Sequence, residues 1–257
     1  MDKLTIVKVG GKIVEDETSL AQLLNDFSSI EGYKIIVHGG GRTATKMAEK
    51  LGIKSTMIEG RRITDLDMLQ VVTMVYAGLI NKNIVAKLQA KKINAIGLTG
   101  ADLNILLAEK RPITKVDYGY VGDIKKANTE LLSILIQKEV VPVLAPLTHD
   151  GEGQLLNTNA DTIAGEIAKA LSIHFDVRLI YCFEKKGVLR DENDENSTIA
   201  EISDSSFKEL LASGTIHGGM IPKIENAFTA LKAGVREVII SQASDIHSNE
   251  GTRIYLQ

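Results

Sequence analysis

A chain of 257 residues has room for one large domain or for two lobes around a shared core. Its formal charge of −3, its sparse aromatics and its lack of Trp speak against a nucleic-acid surface or a base-stacking platform. The single cysteine, Cys182, excludes an intrachain disulfide and a cysteine-built zinc cluster, and points to a reducing cytoplasm.

The first predicted strand, "LTIVKV" (4–9), follows directly on Met1, Asp2 and Lys3, so no signal peptide is expected. No apolar run approaches the length of a membrane span, and no membrane partner is expected. Lys8 sits near the end of this apolar strand, and Gly10 and Gly11 follow it. A buried lysine costs free energy unless an anion meets it, and paired glycines let the backbone approach a ligand. A helical pattern over 19–30 leads to a second strand, "YKIIVHG" (33–39), which runs into "HGGGR" (38–42) and a helix over 42–52. One glycine suffices for a tight strand–helix turn. Three in a row, followed by helical N–H groups, make an anion cradle. His38 is read as orienting that loop, without a catalytic role.

"GRRIT" (60–64) then offers Arg61 and Arg62, of which either is a solvated surface arginine or a two-pronged carboxylate ligand. A long apolar helical stretch over 65–92 follows, then a strand at 94–99 running into "GLTGAD", a helix over 128–139 and a strand at 140–146. "HDGEGQ" (149–154) reads as a turn. "LLNTNADTIAGEIA" (155–168) brings Asn157, Asn159 and Asp161 to a helix start, where one of them serves as an ordinary cap. Strand "DVRLIYCF" (176–183) buries Cys182 as packing and ends in "FEKKG". "RDENDENST" (190–198) reads as a solvated hairpin tip or loop, and 204–213 as a helix. "GTIHGGMIPKIENA" (214–227) is a second glycine-rich approach to a helix, with Pro222 in the first turn, Gly234 as the stop, and a strand at 236–241 beyond. Lys223 lies in that first turn, where the helix dipole disfavours a cation unless an anion sits nearby.

The strands are mostly apolar on both faces and alternate with helices, as in an α/β sandwich with a mainly parallel sheet. A soft lobe boundary falls near 172–176, with the sheet continuing across it. Ligands of such sheets bind beyond the carboxyl ends of the strands, where the glycine runs and lysines cluster. The chain has no G-x-x-x-x-G-K-[ST] loop, no G-x-G-x-x-G after the first strand, no G-x-S-x-G elbow, and no H-E-x-x-H or C-x-x-C. P-loop, Rossmann, hydrolase and transition-metal chemistry are therefore disfavoured, and no protein metal site is expected.

Taken in order, "KVGGK", "HGGGR", "GRRIT", "GLTGAD", "NTNAD", "GGMIPK" and "GTRI" resemble the N-acetylglutamate kinases of the amino acid kinase family, over nearly the whole chain. The resemblance implies a three-layer α/β/α sandwich, ATP as donor with Mg²⁺ held mainly by its phosphates, and the γ-carboxylate of an N-acylated glutamate as acceptor, in arginine biosynthesis. It implies an acyl-glutamate-binding, dimerising lobe over 1–173 and an ATP-binding lobe over 174–257. Lys8 and Lys223 match the lysines that stabilise the transferring phosphoryl group, and Asp161 the aspartate that holds them. Gly39, Gly40, Arg62 and Asn157 match positions that hold the acyl-glutamate. Gly10, Gly11, Glu184, Gly187, His217 and Gly218 match the phosphate and nucleotide side.

The chain departs from the pattern at three places. Phe183 and Glu184 stand where many relatives carry Ser/Thr and Asp. His217 replaces the usual Ser or Asp, and "GLTGADLNIL" lacks a lysine or glycine that often flanks its Asp. These changes also fit an N-succinylglutamate acceptor. Glutamate 5-kinase and a non-catalytic nucleotide or amino-acid sensor are the alternatives. The first lacks its further domain here, and the second does not need both lysines and Asp161. Arginine-inhibited relatives carry an N-terminal linking helix. With three residues before the first strand, a homodimer insensitive to arginine is expected, its interface formed by Leu66–Leu88.

Overall fold

The computed structural model describes residues 1–58, 60–191, 193–247 and 250–257. Strand β1 (Lys3–Val9) is followed by a short helix α1 (Gly11–Glu15) and by α2 (Glu17–Ser28), β2 (Tyr33–His38) and α3 (Gly41–Lys50). A small hairpin, β3 (Met57–Ile58) and β4 (Arg61–Arg62), precedes a continuous helical stretch: α4 (Leu66–Val72), a π-helical segment (Thr73–Ile80) and α5 (Asn81–Ala90). Next come β5 (Ala95–Leu98), β6 (Leu106–Lys110), β7 (Gly122–Ala127), α6 (Glu130–Gln137) and β8 (Val141–Leu144). Strands β9 (Leu147–His149) and β10 (Leu155–Asn157) lead to α7 (Ala160–Leu171) and β11 (Asp176–Phe183). The chain ends with β12 (Glu201–Ser203), α8 (Asp204–Ala212), α9 (Met220–Lys232), β13 (Glu237–Gln242) and β14 (Thr252–Tyr255).

An eight-stranded sheet in the order β12-β14-β13-β11-β1-β2-β8-β5 forms the central layer. The six strands from β13 to β5 are parallel, and β14 runs antiparallel to β13, carrying β12 with it. Because side chains alternate across a strand, Leu4 and Ile6 enter one apolar core and Val7 and Val9 the other. Helices α6 to α9 cover the first face, through residues such as Leu132, Ile163, Phe207 and Ile224. Helices α2 to α5 cover the second, through Leu23, Ala44, Met68 and Ile84. The result is a three-layer α/β/α sandwich with a mainly parallel sheet, as expected.

The main strands and helices fall where the sequence places them. Helix α1, the β3–β4 hairpin and a four-stranded sheet β10-β9-β6-β7 have no counterpart in the sequence reading. These strands are short, and β6 and β7 ("LLAEK", "GDIKKA") carry charges that blur any alternation. The 190–198 segment is bounded by a bridge between Leu189 and Thr198, as suits a hairpin. Glu192 within it lies outside the described residues.

The 25-residue stretch Leu66–Ala90 corrects one expectation: by length and composition it is long and apolar enough to cross a membrane. Met68, Leu69, Val71, Val72 and Val75 are buried in the second core, so it serves as a core helix of the sandwich. Cys182 is fully buried in that same core, and burial pushes its thiol up to about 12. It is packing and not a nucleophile.

Candidate active site

The parallel strands β1, β2 and β11 end at the same side of the sheet, and helices α1, α3, α7 and α9 begin there. Lys8 shares its face with Leu4 and Ile6 but lies at the carboxyl end of β1, only 6% exposed. Its ammonium lies 2.6 Å from Asp161 Oδ1, in the first turn of α7, where the positive end of the helix dipole favours a carboxylate. The contact is an ion pair by distance without hydrogen-bond alignment, since that oxygen finds no aligned donor. Asn159 is the residue that caps α7, accepting from the N–H groups of Asp161 (2.7 Å) and Thr162 (3.2 Å). Tyr181 donates its hydroxyl to the Asp161 carbonyl at 3.3 Å, and burial raises its pKa well above the usual phenol range. Lys223 projects from the first turn of α9. Burial lowers its pKa, with Asp161 pulling it up and Lys8 lowering it further. Both ammonium groups lie against the Phe183 ring, Lys223 at 4.2 Å and Lys8 at 4.7 Å from its centroid.

The two glycine runs meet beside these lysines. The Gly10 N–H donates to the Cys182 carbonyl (3.0 Å) and the Gly39 N–H to the Val9 carbonyl (3.0 Å), which ties each loop to its neighbouring strand. A Cβ on Gly39 would lie 3.4 Å from the Gly11 nitrogen, and one on Gly40 only 2.3 Å from Ile80 Cδ1. Helices α1, α3 and α9 are entered through Gly10, Gly40 and Gly219 and have no side-chain cap. Their first N–H groups therefore donate no bond to the side chain of the capping position, which is glycine in each case. His38 is fully buried beneath the loop. Its Nδ1–H donates to the Gly39 carbonyl (2.9 Å), and its Nε2 accepts from Asn81 (3.1 Å). Burial holds it neutral, with its pKa down at about 4.

A cavity of about 720 Å³ runs over this end of the sheet, lined among others by Lys8, Gly40, Arg62, Asp161, His217 and Lys223. Arg62 is buried and already engaged. One arm donates to the Gly41 carbonyl (2.7 Å) and Thr45 (2.9 Å), and the other to Ser55. It braces the start of α3 from the cavity wall. Asn157 donates to the Thr64 hydroxyl at 2.9 Å. At the opposite end Glu184 is ion-paired with Lys12 from α1.

The sequence model of the amino acid kinase family matches residues 3–242. The chain belongs to the amino acid kinase family. It is 65% identical over 253 residues to the acetylglutamate kinase of Bacteroides thetaiotaomicron, covering 98% of each chain. It is 64% identical to that of Parabacteroides distasonis, covering 99% of this chain and all of the relative. Among solved structures, smu.665 from Streptococcus mutans superposes with a TM-score of 0.81 at 30% identity, over 98% of each chain.

In this member of the amino acid kinase family, Lys8, Asp161, Lys223, Gly10, Gly11, Gly39, Gly40, Arg62, Asn157, Glu184, Gly187 and His217 all line the one cavity. Gly218 does not. Its φ of +55 serves the turn into α9, and a side chain there would meet nothing within 4 Å. Glu184 lines the cavity as one half of an ion pair with Lys12, which is a partner that no local pattern reveals. Gly187 is held by packing, since a Cβ there would lie 2.6 Å from Thr252 Oγ1. Lys12, Arg42 and Arg111 also line the cavity and were not singled out from sequence. The first two directly follow glycine runs, a usable signal. Arg111 leans on Asp123 across the β6–β7 pair, which no local pattern reveals.

Proposed function

We propose that this kinase transfers the γ-phosphoryl group of ATP to the γ-carboxylate of N-acetyl-L-glutamate, releasing ADP and an acyl phosphate, in arginine biosynthesis. The observation that carries the reading is the convergence of Lys8, Asp161 and Lys223 beside two glycine-entered helix starts in one cavity. The names of the close relatives support the acceptor. A carboxylate oxygen attacks the γ-phosphorus while the bond to the ADP oxygen breaks. The nucleophile is ionised at neutral pH, so the site needs no general base. Lys8 and Lys223 stabilise the negative charge gathered in the transition state, Asp161 fixes Lys8, and the Gly39–Gly40 loop supplies N–H groups. Arg62 and Asn157 hold the acyl-glutamate on the 1–173 side. Gly10, Gly11, Gly187, His217 and the Lys12–Glu184 pair face the nucleotide from the other side.

Mg²⁺ fits as a companion of the nucleotide phosphates, where it supplies charge neutralisation. Among the described residues, the carboxylates lining the cavity are Asp161 and Glu184, and both are engaged by lysines. A cytoplasmic setting accords with the free, buried Cys182. A second acceptor, N-succinylglutamate, is favoured by one observation: Arg42, Arg61 and Arg111 line the same cavity beyond Arg62, and an added carboxylate needs such cations. Incubation with ATP, N-acetylglutamate and hydroxylamine tests the main reading, because hydroxylamine traps acyl phosphates as hydroxamates. Hydroxamate that requires both substrates is expected. None from folded protein contradicts it. A kcat/KM many-fold higher for the succinyl acceptor replaces the acetyl reading and leaves the kinase in place.

A further inference from the structure

Phe183 has no place in the reaction above, although it is the side chain that both lysines share. It ends β11, the strand beside β1, two residues beyond Tyr181, which pairs in register with Lys8. The ring packs against its neighbour on the same strand. Tyr181 stacks on it with centroids 6.4 Å apart and planes 13° from parallel. A Cβ on Gly10 would touch its Cδ1 at 3.6 Å. Tyr181 in turn donates to the Asp161 carbonyl, so the ring, the carboxylate and the two lysines form one assembly.

Two ammonium groups brought together repel each other. A second carboxylate would relieve the repulsion but also cancel the positive field that an incoming phosphoryl group needs, and would occupy N–H donors. An aromatic face attracts cations without net charge and without accepting a directed hydrogen bond. We infer that Phe183 is a positioning residue for phosphoryl transfer: its ring gathers the Lys8 and Lys223 ammonium groups and leaves their N–H donors for the phosphoryl oxygens. The inference rests on the reading that these lysines stabilise the transferring group.

The test replaces Phe183 by Leu, by Tyr and by mono-, di- and trifluorophenylalanine, whose shape is nearly constant while the π face weakens. For Phe183→Leu, kcat is expected to fall about tenfold, the size of losing modest cation–π contacts. Phe183→Tyr is expected to restore it, and the fluorinated series to lower it stepwise, with KM for both substrates within about twofold of wild type. A kcat that ignores fluorination overturns the inference. So does an effect confined to KM for ATP, which would make the ring a base-stacking surface. The fluorinated forms keep the question open to measurement if Phe183→Leu fails to fold. Lys223→Ala in the same assay separates the two levels. Near-normal kcat there removes the lysine reading and the inference with it, whereas a collapsed kcat beside fluorine-insensitive turnover overturns the ring's role alone.

Discussion

At the scale of single residues, the chemistry is legible where a side chain is out of place. Lys8 announces itself as a charge in an apolar strand, and Lys223 as a cation at the wrong end of a helix. Both lie in the cavity. What the sequence hides is the partner. Lys12 and Glu184 are 172 residues apart in the chain, and no spacing rule links them. Arg62 shows the same limit. Its guanidinium is committed to Gly41, Thr45 and Ser55, which ties the proposed substrate ligand to the start of α3. Arg62→Lys keeps the charge but loses the fork. KM for the acyl-glutamate is expected to rise about tenfold while KM for ATP barely moves. Equal rises for both substrates would assign Arg62 a general structural role.

His38 gives a pH signature at the same scale. The unfolded chain protonates this imidazole near 6.5, and the folded chain only near 4. Between those values the unfolded state binds more protons, so stability falls as the pH drops from 6.5 to 4, by about 3 kcal/mol in total. Denaturant melts of His38→Gln are expected to show a shallower loss over that window than wild type. Parallel slopes would mean that His38 does not titrate as a buried neutral group.

At the scale of elements, the helices were readable because their caps and apolar spacing are local. Asp16, Asp65, Asn159 and Ser203 cap α2, α4, α7 and α8. The π-helical segment inside the long stretch was not readable, since it carries no residue that marks it. Yet it sets the site: Tyr76 and Ile80 from that segment press on Gly40. Gly40→Ala places a methyl group against Ile80 and is expected to cost about 1–3 kcal/mol of stability through overpacking. It should also raise KM for the acyl-glutamate. Adding Ile80→Ala is expected to recover part of both losses. No recovery in the double variant would show that the backbone angle at Gly40, with φ of +156, carries the whole effect.

At the scale of the molecule, alternation of strands and helices foretold the parallel sheet but not its order or its antiparallel edge, which arise from pairings far apart in sequence. The long helix leaves Leu66, Met74 and Leu79 at 52%, 54% and 47% exposure, although its other face is fully buried. That apolar stripe is the proposed dimer interface. Light scattering is expected to give a dimer for wild type and a monomer for Met74→Glu with Leu79→Glu. A dimer that survives both charges would place the interface elsewhere. The proposed transfer depends on two lysines, and turnover in the hydroxamate assay reads their contribution. Lys8→Ala and Lys223→Ala are each expected to lower kcat by about two to three orders of magnitude, with smaller changes in KM, because their charge matters most in the transition state. Near-normal kcat in either folded variant would contradict it.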